Sequence, residues 1–95
     1  MTRLAVALVL LAATAGLARA DAAAFQALGA DAQKIVNKVT GDKPEDTAVC
    51  AGGGEELRSK VVSATKSLYF AGSLAGEPKP AGEAAGEYLK ALCKL

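Results

Sequence analysis

Apolar residues at Phe25, Leu28, Ala32, Ile35, Val36 and Val39 recur at three- and four-residue steps, with Gln26, Asp31, Gln33, Lys34, Asn37 and Lys38 between them. That is the period of an amphipathic helix. It predicts one continuous helix from Asp21, a good N-cap, to a left-handed C-cap at Gly41. Gly29 falls inside it, where glycine costs about 1 kcal/mol relative to alanine. Its expected use is to let a second helix approach closely.

Asp42-Lys43-Pro44-Glu45-Asp46 predicts a further helix start, with a capping acid, Pro in the first turn and carboxylates near the positive end of the dipole. Thr47 to Ala51 then makes a short helix that Gly52-Gly53-Gly54 ends. From Glu55 the stripe Leu57, Val61, Ala64, Leu68 and Ala71, widened by Val62 and Tyr69, predicts a long helix stopping near Gly72 or Gly76. Glu56 and Lys60 are spaced on it as a favourable i,i+4 pair. Glu77-Pro78-Lys79-Pro80 reads as a stiff linker. A last helix is expected from about Ala81 to Lys94, with Ala85, Tyr88, Leu89 and Leu92 inward. No run of alternating β-branched residues occurs. The expected fold is all-α, a small bundle of three to four helices.

The segment before Asp21 differs in kind. Met1-Thr2-Arg3 carries one positive charge, Leu4 to Leu17 is uncharged and rich in Leu, Val and Ala, and Ala18-Arg19-Ala20 offers small residues at a cleavage site. Charged start, apolar run and A-x-A site together read as a secretory signal peptide, residues 1–20, leaving residues 21–95 as a single helical domain. The apolar run is short of the roughly 20 residues that span a bilayer, so no stable membrane anchor is expected after cleavage. The expected location is secreted or periplasmic, with a thylakoid lumen or a eukaryotic secretory route also open.

Removing the signal alters two further properties. The whole chain has formal charge +1, whereas residues 21–95 hold nine Lys and Arg against ten Asp and Glu, a net −1. Singly scattered cations in such a balance give no electrostatic case for binding nucleic acid. Export also places the two cysteines, Cys50 and Cys93, in an oxidising compartment, which predicts one disulfide between them. The same thiols allow intermolecular pairing, and with it a homodimer.

Most catalytic chemistry lacks its parts. The chain has no His and no Trp, which excludes His-based triads and the usual zinc ligand sets. A redox C-x-x-C is absent, and no phosphate-binding loop follows Gly52-Gly53-Gly54, whose neighbours Glu55 and Glu56 would repel an anion. Asp42, Glu45 and Asp46 lack the alternating oxygen spacing of a calcium loop and read as helix caps. Paired carboxylates for hydrolysis could in principle be drawn from Glu55 with Glu83 or Glu87, but so small a bundle offers little cleft to hold a substrate. No cofactor and no enzyme activity is expected.

Ser67-Leu68-Tyr69-Phe70-Ala71-Gly72-Ser73-Leu74 places four large apolar side chains where one small core cannot face them all. Either the short helix or the proline segment covers Phe70, or Tyr69, Phe70 and Leu74 form an exposed apolar patch for a partner protein. One family resemblance touches this chain. Asp42 to Val49 resembles a stretch in the acid-stress chaperones of the bacterial periplasm, which are also small, helical and disulfide-bonded. It spans eight residues of a kind that any Pro-started acidic helix tends to contain, Cys50 follows the stretch where that family's first cysteine precedes it, and Trp is absent, so the chain is not assigned to that family and no residue role carries over. The leading expectation is a non-enzymatic binding or accessory protein acting on a protein partner outside the cytoplasm. The alternative is an acid-activated stress chaperone, whose ten carboxylates would lose charge near pH 4.

Overall fold

A computed structural model describes residues 22–95, so the signal-peptide reading of residues 1–20 and the capping role of Asp21 lie outside the described residues. The described chain forms helices α1 (Ala22–Gln26), α2 (Ala30–Thr40), α3 (Gly53–Phe70) and α4 (Pro78–Cys93), with a 3₁₀ turn at Thr47–Cys50 between α2 and α3. The all-α expectation holds, and the disulfide joins Cys50 to Cys93 with their Cα atoms 5.5 Å apart.

The expected first helix is broken in two. Gly29 adopts an extended conformation (φ −64°, ψ 161°) and serves as the N-cap of α2. Nothing lies close enough to meet a side chain there, so close helix approach is not its use. The break is held by Gln33, whose Nε2 donates to the carbonyls of Phe25 (3.2 Å), Gln26 (3.3 Å) and Leu28 (3.0 Å). The Phe25 carbonyl also accepts from the Leu28 amide at 3.1 Å, so the side chain braces the turn that ends α1. The turn tips Phe25 inward, and its ring meets Tyr88 edge-on at 5.9 Å.

At the other end of α2 the left-handed Gly41 (φ 64°) stands where the sequence placed it. Asp42 follows in the same region (φ 66°), its amide donating to the Asn37 carbonyl at 2.8 Å. Asp42 therefore finishes α2 instead of starting a helix. The cap of the 3₁₀ turn is Asp46, whose carboxylate accepts from the Ala48 amide at 2.9 Å.

Two further boundaries move. The glycine run opens α3, which begins at Gly53, and Glu56 folds back across Gly52 where any Cβ would collide with it. The Pro78–Pro80 segment is the first turn of α4, capped by an extended Glu77. Proline fits there because first-turn amides have no acceptor within the helix and its fixed φ is already helical.

The core lies between α2, α3 and α4. Ile35, Val36 and Leu89 are fully enclosed, ringed by Phe25, Ala32, Val49, Leu57, Val61, Ala64, Ala85 and Tyr88. Leu28, Val39, Leu68, Leu74 and Leu92 are half-buried at its edge. The Tyr88 hydroxyl donates to the Pro44 carbonyl at 2.8 Å, tying the segment after α2 to α4. Every enclosed polar side-chain atom among the described residues has a partner.

Candidate functional site

The exposed apolar surface sits at the C-terminal end of α3. Leu57, Val61, Ala64 and Leu68 keep the core face, and a helix advances 100° per residue. Phe70, two residues beyond Leu68, must point away from the core. It is 81% exposed, and Tyr69 is 52% exposed. Their rings contact each other edge-to-face at 5.5 Å. Neither the 3₁₀ turn nor the proline-containing first turn of α4 covers Phe70, and Tyr69 does not widen the buried stripe.

The chain cannot fold back over these rings because of how α3 stops. Gly72 is left-handed (φ 73°); its amide donates to the Tyr69 carbonyl (3.0 Å) and that of Ser73 to the Leu68 carbonyl (2.9 Å). This is the paired hydrogen-bond pattern of a Schellman stop, and it turns the backbone towards α2. Leu74 goes with it and packs half-buried against the core, so of the three patch candidates only Tyr69 and Phe70 share an exposed surface.

The loop after this stop is fixed to α2 by polar side chains. Asp31, in the first turn of α2, accepts from the amides of Ala75 (Oδ1, 2.9 Å) and Gly76 (Oδ2, 2.8 Å). Lys34, one turn on, donates to the Ser73 carbonyl at 2.7 Å. The hydrogen bonds from Ala75 and then Gly76 hold the Asp31 carboxyl below the ordinary carboxylate pKa of 3.8, with Lys34 adding to the effect. A lowered folded-state pKa gives stability that is present above the unfolded value and lost as pH falls through the folded one. The clasp is therefore intact at neutral pH and loosens in acid, below 3.8.

A second feature was not foreseen as a unit. An open groove of about 810 Å³ runs between α3 and α4, and among the described residues its lining comes from those two helices. Gly82 brings the helices together: a Cβ there would stand 3.1 Å from the Thr65 hydroxyl. Gly86, one turn on, has open space above it. Glu55, Glu83 and Glu87, the only carboxylates considered for hydrolysis, do line this groove. Glu87 is engaged by Lys90 at 3.4 Å, and all three are exposed.

Among the described residues no group of His, Cys, Asp and Glu could hold a metal ion. No described helix is long and apolar enough to cross a membrane. No family model matches this sequence, and neither curated proteins nor solved structures match it significantly.

Proposed function

We propose that this is a non-enzymatic helical binding or accessory protein that works outside the cytoplasm on a protein partner. The observation that carries the reading is the Tyr69–Phe70 pair, two aromatic rings packed on each other at the end of α3 instead of on the core. Exposed aromatics of this kind are typical anchors of protein interfaces. A disulfide inside a small helical bundle is compatible with an oxidising compartment, and the apolar start of the chain supports export.

Phe70→Asp should leave the helical circular-dichroism spectrum unchanged, since the ring supports no core residue. In a crosslinking pull-down it should weaken partner capture by roughly thirty-fold, the effect of losing an interface hot spot of about 2 kcal/mol. Undiminished capture by this variant would remove the reading.

The Asp31 clasp favours a second reading, an acid-activated chaperone. Protonating Asp31 would loosen the loop beside the exposed rings and free apolar surface for unfolding clients. On that reading the protein suppresses light scattering from a denaturing client when the pH is stepped down well below 3.8, where Asp31 gains its proton, and not at about pH 7. Asp31→Asn, which cannot carry the charge, should give partial suppression already at neutral pH. Absence of suppression in acid rules this second reading out.

A further inference from the structure

The α3–α4 groove has the shape of a missing helix position. In the described chain α2 packs on both α3 and α4, yet contributes nothing to the groove lining. Among the described residues the groove is therefore a separate, open side of the α3–α4 pair. Its floor is apolar: Leu57 and Val61 reach it from the core edge, Val62 is 44% exposed within it, and Gly86 leaves open space on its α4 side. From Gly54 to Lys66 it follows α3 for about 18 Å at 1.5 Å per residue, the length of a three-turn helix.

The charges along it are uneven. The helices run antiparallel with Gly82 beside Thr65, so Lys79, a turn before Gly82, lies on the opposite lip about 3 Å beyond Lys66 at 1.5 Å per residue. Neither lysine makes an ion pair among the described residues, and Glu83 is the acid nearest along α4. At the far end Glu55 and Glu87 offset Arg58 and Lys90. The loop end thus carries the surplus positive charge. It is also the end continued by Tyr69, which follows Val62 by two helical turns on the same face of α3.

We infer that this groove receives an amphipathic helix of a partner protein, its apolar face on Val62 and the open space at Gly86 and its acidic C-terminal turn at Lys66 and Lys79. A helix C-terminus carries partial negative charge of its own, so the same polarity fixes the direction in which the partner lies. This rests on the binding reading above and names the partner's chemistry.

The test uses a labelled synthetic peptide of about 14 residues, some 21 Å as a helix, with Leu and Ala on one face and Glu in its last turn. A control peptide carries Lys at those Glu positions. Fluorescence anisotropy against the oxidised protein should show the Glu peptide binding at least tenfold tighter than the Lys peptide. Val62→Glu should abolish that binding, and the double variant Lys66→Glu, Lys79→Glu should reverse the preference, both with helical spectra unchanged. Equal affinity for the two peptides, no saturable binding, or indifference to Val62→Glu would overturn the inference. So would a stable dimer of the protein that Val62→Glu dissociates, because a second copy would then be the occupant. Phe70 lies outside the groove, so Phe70→Asp should leave peptide affinity intact. If the peptides fail while Phe70→Asp still abolishes partner capture, the groove inference falls and the binding reading stands.

Discussion

The double variant Cys50→Ser, Cys93→Ser is expected to lose about 4 kcal/mol of folding stability, the chain-entropy value for a loop of this length. The bond joins positions 43 residues apart in sequence, and between them lie all of α3 and most of α4. Small domains have total stabilities on the order of 5 kcal/mol, so the variant should sit near the edge of folding. A thermal melt followed by helical circular dichroism should show the midpoint lowered by roughly 15–30 °C, at about 4–8 °C per kcal/mol for a chain of this size. A shift of only a few degrees would mean that the core holds the fold without the bond. Both cysteines are half-buried against that core, so serine also places a hydroxyl beside apolar groups and can only add to the loss.

Leu89→Ala should be the most damaging single truncation, costing about 3 kcal/mol within the range measured for buried leucines. Leu89 is fully enclosed, in company with Ile35 and Val36 of α2. The neighbours have little capacity to close the cavity, because so many are already small: Ala32, Ala64 and Ala85 are core residues here. Denaturant unfolding with an unchanged slope and a lower midpoint would report this loss cleanly. A matched change at Leu92, half-buried at the rim, should cost clearly less. Equal losses at the two positions would contradict the placement of Leu89 at the centre.

The long helices were legible because Ile35, Val36, Leu57, Val61, Ala64, Tyr88 and Leu89 keep a helical period, and the disulfide because two cysteines allow one intramolecular pairing. What period could not reveal were places where a local contact overrides it. Gln33 looked like an ordinary polar-face residue; its amide gathering three carbonyls is what stabilises the break at Gly29. Pro78 and Pro80 fit a linker and a helix first turn equally well from sequence, since both settings spare the missing amide donor. The exposure of Phe70 was readable in outline, two positions from a core leucine, but whether another element covered it depended on the direction of the chain after Gly72. The groove was hidden for a similar reason. Gly82 and Gly86 stand four apart in plain view, yet only the three-dimensional arrangement shows that Thr65 of α3 closes over Gly82 while no described residue lies over Gly86.

Covalently, the oxidised chain is a closed ring with a tail. The ring holds α3 and α4, and α1 and α2 lie on the tail outside it. Thermal lifting of the tail leaves the two ring helices tethered as neighbours, whereas the tail keeps no covalent memory of its seat. Recovery is then a search by one short strap for a tethered pair, with fewer arrangements to sample than an open chain would face. The ring pair also presents two apolar sides, one that the strap leaves and regains and one that no described element covers. The asymmetry between those sides is built into the order of the chain.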